Sequence, residues 1–319
     1  MCVWRNRVVV VLPMLAAACM RPEPPPPTTT VTVATFEVGG IYNLLGQALG
    51  RIYTSKIQGL SMEVRATPGS VFNVDAVQQG KVDVAFTLGD VAYLAYKRGT
   101  EAHPQPHDKL RGIAVLYEGA MQIVAREGSG IRSVKDLRGH RVGVGSVGSG
   151  TAIAARMVIS AYGLRDDDLT LEALSSDRVV AGMRAGEVDA GFVVASYPYP
   201  IFHGADTSIG VQLVPIERAI VSRLRSQYPF FRPTVIPAGT YPHQKQDIET
   251  IGVDTLLVCR SDLDEELVYR LTKTLFDELP DLTRVHSAAA TIHPDKAPAT
   301  PIPLHQGAAR YYREREVLQ

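Results

Sequence analysis

The chain has little with which to cross-link itself. Among 319 residues there are three cysteines, Cys2, Cys19 and Cys259. The first two fall in an N-terminal leader, so Cys259 has nothing to bridge and no disulfide holds the fold. Its setting, Thr255-Leu-Leu-Val-Cys-Arg260, is apolar and strand-like, which suits a buried core thiol better than a nucleophile. Excess charge of one sign is also absent. Lys+Arg 33 balance Asp+Glu 33, so nothing asks for nucleic acid as a partner, and only local fields in a cleft remain to attract an ion. Catalytic signatures are missing too: no HExxH, no Cys-x-x-Cys and no Gly-x-Ser-x-Gly elbow. Of the histidines beyond the leader only His103 and His107 lie close together, and Pro104 and Pro106 place them in a loop, not on one helix face. These gaps predict a protein with no metal, no cofactor and no enzymatic activity.

No hydrophobic run is long enough to span a bilayer. Arg5 and Arg7 precede an apolar stretch, Val8 to Ala18, that falls well short of the ~20 residues a spanning helix needs and reads as a signal-peptide core. It ends in Leu15-Ala-Ala-Ala-Cys19, which resembles a bacterial lipoprotein signal, except that Ala16 stands where a large aliphatic residue is usual. Residues 1–18 are therefore expected to be removed and Cys19 lipidated, with plain secretion the alternative. Residues 19–30 follow as a tether, stiffened by Arg21-Pro-Glu-Pro-Pro-Pro-Pro27. The expected location is the periplasm or cell surface, with membrane contact through the lipid alone.

What is present is a repeat. Gly80-Lys-Val-Asp-Val-Ala-Phe86 and Gly186-Glu-Val-Asp-Ala-Gly-Phe192 align at an offset that also brings Ser70 onto Ser176. Around both copies runs the same order: strand, glycine loop, helix, strand, serine-started helix, Gly-x-Val-Asp turn, strand. The first copy predicts strands at 31–34, 60–66 and 82–88 with helices at 44–52 and 70–79. The second predicts strands at 141–144, 169–174 and 188–194 with helices at 152–162 and 176–185. Alternating strands and helices make parallel βαβ units, and two copies make two α/β lobes whose strand ends face one cleft. Two strand-like runs, 110–117 and 121–126, joined at Glu118-Gly119, and a later one at 250–260 would carry the chain between lobes, with Gly119 as a hinge element. Helices at 264–278 and 307–314 would pack on the first lobe. The predicted division is 31–118 with 255–319 as lobe 1 and 119–254 as lobe 2.

The string Gly143-x-Gly145-x-x-Gly148 has dinucleotide spacing, with Glu172 available as the ribose acid. An exported chain would not meet a nicotinamide cofactor, and Thr151 after Gly150, with no lysine, excludes a Walker A loop. A helix start offers free N–H groups and partial positive charge, so glycines there suit an anion. Gly148, Ser149, Gly150 and Thr151 supply one such start, Gly39-Gly40 a second and Pro68-Gly-Ser70 a third. Ser70 is equally a plain N-cap. Asp90 is a cap or a ligand contact; Tyr117 and Glu118 face either the cleft or solvent; Tyr197 could wall the cleft. Asp83 and Asp189, equivalent in the repeat, are expected to be structural.

In order along the chain, Gly39-Gly-Ile-Tyr42, Thr67-Pro-Gly-Ser-Val-Phe-Asn73, Ser146-Val-Gly-Ser-Gly-Thr151, Tyr228-Pro-Phe-Phe231, Ile236-Pro-Ala-Gly-Thr-Tyr241 and Pro303-Leu-His-Gln-Gly-Ala-Ala-Arg-Tyr-Tyr312 resemble the TAXI family of TRAP-transporter solute receptors. The resemblance covers nearly everything after residue 30. It implies a type II periplasmic-binding-protein fold, two α/β lobes joined by a two-strand hinge, closure on a small organic anion such as a glutamate-like carboxylate, and delivery to a TRAP membrane permease by a monomer. A sensory lipoprotein of the same fold, signalling without transport, is the alternative. The implied contacts are Gly40, Ile41, Tyr42, Ser70, Asp90, Tyr117, Gly148, Ser149, Gly150, Thr151 and Tyr197. The first glycine loop departs from the family pattern, with Phe36-Glu-Val38 before it and Ile41 and Asn43 within it, so the ligand need not be glutamate.

Overall fold

A computed structural model describes residues 29–38 and 40–318. The leader, Cys19 and Gly39 lie outside the described residues. The chain opens with β1 (Thr29–Ala34), α1 (Ile41–Lys56), β2 (Leu60–Arg65), α2 (Ser70–Gln78), β3 (Val84–Leu88) and α3 (Gly89–Arg98). A long strand, β4 (Leu110–Arg126), leads to β5 (Arg141–Gly143), α4 (Gly150–Ala161), β6 (Thr170–Glu172), α5 (Ser176–Ala185) and β7 (Ala190–Ala195). After α6 (Pro200–Ile209), β8 (Val211–Leu213), α7 (Arg218–Gln227) and β9 (Phe231–Ile236), a second long strand, β10 (Ile248–Arg260), returns. Helices α8 (Glu265–Asp277), α9 (Leu279–Val285) and α10 (Gln306–Glu314) close the chain.

The strands form one mixed sheet in the order β2-β1-β3-β10-β4-β7-β5-β6, with β8 beside β4 and β9 beside β10. Both copies of the repeat build the same three-stranded parallel unit. β1 lies between β2 and β3, as β5 lies between β6 and β7. The antiparallel pair β4 and β10 runs between these units and gives the molecule two α/β lobes. Two expected runs at 110–117 and 121–126 are in fact a single strand. Glu118 and Gly119 pair with Asp254 and Val253 instead of breaking the ladder. The register against β10 shifts instead between Asp254 and Leu256 and again between Leu257 and Val258, and at both places the extra residue lies on β4.

The two turn aspartates tie each unit to a crossing strand. Asp83 Oδ2 accepts the N–H of Thr32 at 2.8 Å, and its Oδ1 accepts from Arg260 Nη1 at 3.1 Å at the end of β10. Asp189 Oδ2 accepts the N–H of Arg141 at 3.0 Å, and its Oδ1 lies 3.4 Å from Arg126 Nη2 at the end of β4. A charged acceptor for a strand N–H, held by arginine, is a structural use of both residues.

One apolar layer crosses both lobes on one sheet face, from Val74 and Val91 through Ile123 and Ile251 to Val142 and Val158. The other face carries separate clusters. In lobe 1, Leu45, Leu49 and Tyr53, spaced along one stripe of α1, pack with Leu271, Leu275 and Tyr312 from α8 and α10. In lobe 2, Val180 and Met183 of α5 meet Phe202 and Tyr241. Cys259 is fully buried and free, and burial pushes its thiol far up. His103 and His107 sit on the loop after α3 around Asp75; His107 Nε2 lies 2.6 Å from Asp75 Oδ1.

Candidate functional site

Parallel strands followed by helices bring the starts of α1, α2, α4 and α5 to the same end of the two units, and a cavity of about 540 Å³ opens between them. Lobe 1 contributes Phe36, Gly40, Ile41, Tyr42, Ser70 and Leu88 to its wall; lobe 2 contributes Gly145, Ser149, Gly150, Thr151, Phe192 and Tyr199. The long strands contribute Tyr117 and Thr255 to its floor.

At α4, Ser149 is the N-cap, and its Oγ accepts the N–H of Ala152 at 3.3 Å. The N–H groups of Gly150 and Thr151 have no acceptor among the described residues. Thr151 Oγ1 accepts the N–H of Val194 at 3.1 Å, which leaves its proton free to donate. At α1 the N-cap is Gly40, with no side-chain cap, and the N–H groups of Ile41, Tyr42 and Asn43 have no described acceptor. Two helix starts from opposite lobes thus present open donors and partial positive charge.

The third expected start is occupied. The N–H of Val71, in the first turn of α2, donates to Gly148 C=O across the cleft at 3.0 Å, and Ser70 Oγ accepts the N–H of Leu88 at 3.1 Å. Ser70 lines the cavity without being the cap, which is Gly69. The glycine string resolves the same way. A β-carbon on Gly143 would stand 2.3 Å from Val179 Cγ2, and one on Gly150 would stand 2.6 Å from Leu88 Cδ1. These glycines admit α5 against its sheet and one lobe against the other.

The floor is a cluster of buried hydroxyls. Tyr42 stacks obliquely on Phe86, ring centroids 5.5 Å apart, and its OH lies 3.4 Å from Thr255 Oγ1. Burial drives the Tyr42 and Tyr117 hydroxyls far above their ordinary pKa, so both are neutral donors. The Tyr117 OH is buried beside Thr255 and makes no hydrogen bond of good geometry among the described residues.

Of the residues expected from sequence, Gly40, Ile41, Tyr42, Ser70, Tyr117, Ser149, Gly150 and Thr151 line the cavity, whereas Asp90, Gly148 and Tyr197 stand outside its wall. Asp90 is fully buried in the first turn of α3, where Leu88 is the N-cap. Its Oδ1 accepts the N–H of Val91 at 2.8 Å and its Oδ2 has no partner; burial lifts its pKa to about 7 against that hydrogen bond. Gly148 spends its carbonyl on Val71. Tyr197 turns outward, its OH donating to Val235 C=O at 3.2 Å, and Tyr199 takes the place of an aromatic wall. Sequence reasoning passed over Thr255, Phe192, Tyr199, Asp177 and His286, all of which line the cavity, as does Glu37 of the loop that departs from the family pattern. Only the Phe86/Phe192 match in the repeat hinted at any of them.

The architecture is a mixed α/β, type II periplasmic-binding-protein-like fold. The structure is similar to PhnD1 from Prochlorococcus marinus (MIT 9301) in complex with methylphosphonate, with a TM-score of 0.56 and 12% identity over 90% of this chain and 96% of that one. It is also similar to the alkanesulfonate-binding protein SsuA from Xanthomonas axonopodis pv. citri bound to MOPS, at 0.51 and 13% over 92% and 95%. An ancestral arginine-binding protein bound to arginine matches at 0.50 and 17% over 81% and 96%. The chain belongs to the NMT1-like family, whose model matches residues 33–315. Among the described residues no helix is long and apolar enough to cross a membrane.

Proposed function

We infer that the protein is an extracytoplasmic solute-binding receptor that closes over a small organic acid and passes it to a transporter of the TRAP type. The observation that carries this reading is the interlobe cavity, where open main-chain amides of α1 and α4 meet a buried Tyr117 hydroxyl that makes no hydrogen bond of good geometry. A carboxylate held by those amides and that hydroxyl would satisfy donors left idle in the free protein, while Tyr42, Phe192 and Tyr199 enclose an apolar body. Closure then gains contacts from both lobes that an open state lacks. In this reading lobe 1 is 31–118 with 255–319, lobe 2 is 119–254, the turning points lie at Glu118-Gly119 and at the facing Asp254–Thr255 of β10, and Cys19 carries the lipid. Titration calorimetry of the purified chain against monocarboxylates, dicarboxylates, keto acids and amino acids tests it. Micromolar or tighter binding of at least one acid is expected, and binding of none defeats the reading. Reconstitution with a TRAP permease separates uptake from a purely sensory role.

A further inference from the structure

The ionisable side chains around the cavity carry one sign of charge. Glu37, on the loop into α1, and Asp177, in the first turn of α5, come from opposite lobes and both line the cavity. Both side chains are exposed at its rim. The Tyr199 hydroxyl, raised by its own burial against a hydrogen bond to Ser176, also feels the negative charge of both. Glu37 Oε1 also accepts from Ser146 Oγ at 3.2 Å, a contact across the cleft. Among the described lining residues there is no arginine and no lysine. His286 lines the cavity, but its Nδ1 accepts the N–H of Ala288 at 3.1 Å and burial lowers its pKa, so it is neutral at pH 7.

Positive potential in the cavity therefore comes from helix starts alone. The open amides of α1 and α4, with the buried Tyr117 hydroxyl, suit one carboxylate. A second carboxylate finds no cation anywhere on the wall, and closing the lobes brings it into a space that holds Glu37 and Asp177.

Resting on the receptor reading above, we propose that Glu37 and Asp177 reject solutes with a second negative charge, so that the cavity selects monocarboxylates with an apolar body over dicarboxylates of the same length. Each lobe supplies one of the two charges, so the repulsion is greatest in the closed state, where selectivity is decided.

Matched acids test this: hexanoate against adipate and octanoate against suberate, titrated calorimetrically into the full chain and into the Glu37→Gln/Asp177→Asn double variant. The wild-type protein is expected to bind the monoacid of each pair at least about 10-fold tighter, and the double variant to raise the diacid-to-monoacid affinity ratio by roughly 10- to 100-fold. Equal binding of both members by the wild type overturns the inference and leaves the receptor reading standing. So does an unmoved ratio in a double variant that melts within a few degrees of wild type. Binding of neither monoacid overturns it as well, and if every acid of the wider panel is also silent, the receptor reading falls with it.

Discussion

Gly150 in α4 stands so close to Ser70 in α2 that a β-carbon on the glycine would lie 3.0 Å from the serine Oγ. The two residues belong to opposite lobes, and the hydrogen bond from Val71 N–H to Gly148 C=O runs beside them. Lobe closure here is a contact between two helix starts, permitted by a missing side chain. Gly150→Ala should block it, because the new methyl meets Leu88 Cδ1 at 2.6 Å. Affinity for the best acid in the panel is expected to fall by about 10-fold or more, equivalent to about 1.4 kcal/mol. The melting temperature should move by only a few degrees. Calorimetry and thermal melts on the same samples check both.

Tyr117→Phe removes a hydroxyl that makes no hydrogen bond of good geometry among the described residues. Unfolding stability should hold or rise slightly, since a buried group without a good hydrogen bond is relieved. Ligand affinity should fall by the worth of one hydrogen bond, about 1 kcal/mol, or roughly 5-fold. Urea titrations with and without ligand separate the two effects. A loss of free-protein stability of several kcal/mol would show that the hydroxyl has a structural partner.

Asp90 makes stability depend on pH in a direction opposite to most carboxylates. Its folded-state pKa is raised to about 7 by burial, whereas in the unfolded chain it falls near the ordinary value of about 3.9. Between those values the folded protein keeps a proton that the unfolded chain releases, so this contribution to stability declines as pH rises from about 4 to about 7. Asp90→Asn removes the ionisation. It should be nearly neutral at pH 4 and stabilising at pH 8, by an amount on the order of 1.4 kcal/mol for each unit of the shift. Thermal melts of both proteins across pH 4 to 8 give the difference curve.

Asp83 and Asp189 should behave alike. Each accepts an N–H of a central strand and holds an arginine at the end of a crossing strand. Asp83→Asn and Asp189→Asn are each expected to cost on the order of 1–3 kcal/mol, because a charge-assisted acceptor is lost; Arg126 then loses its partner, while Arg260 keeps Asp262 and the Asp83 variant should fall at the lower end. The two sites lie in different lobes, so the double variant should lose the sum. Chemical denaturation with an unchanged slope is the readout.

The repeat made much of the fold legible. The Gly-x-Val-Asp turns marked β3 and β7, and the expected elements at 31–34, 60–66, 70–79 and 176–185 match β1, β2, α2 and α5 closely. Local pattern sufficed there because each strand and helix buries a stripe set by its own period. The glycine loops pointed correctly to the starts of α1 and α4. What pattern could not show was which amides stay open. Val71 and Gly148 are 77 positions apart in the chain, and only the approach of the lobes turns one into the partner of the other. Thr255 reads as one more residue in an apolar strand until the register shift against β4, where Leu116 and Tyr117 oppose it, sets it at the floor.

By itself, the sequence determined that two similar βαβ units would form, that helices would begin at glycine-rich turns, and that a lone apolar-flanked cysteine would be buried, because propensity, periodicity and turn chemistry act over a few residues. Tertiary structure alone decided that Tyr199 and not Tyr197 walls the cavity, that Asp90 is sealed in the core, and that Glu37 and Asp177 from opposite lobes line the same cavity. Those relationships join residues from separate elements and separate lobes, and their distances exist only once packing has fixed the geometry between them.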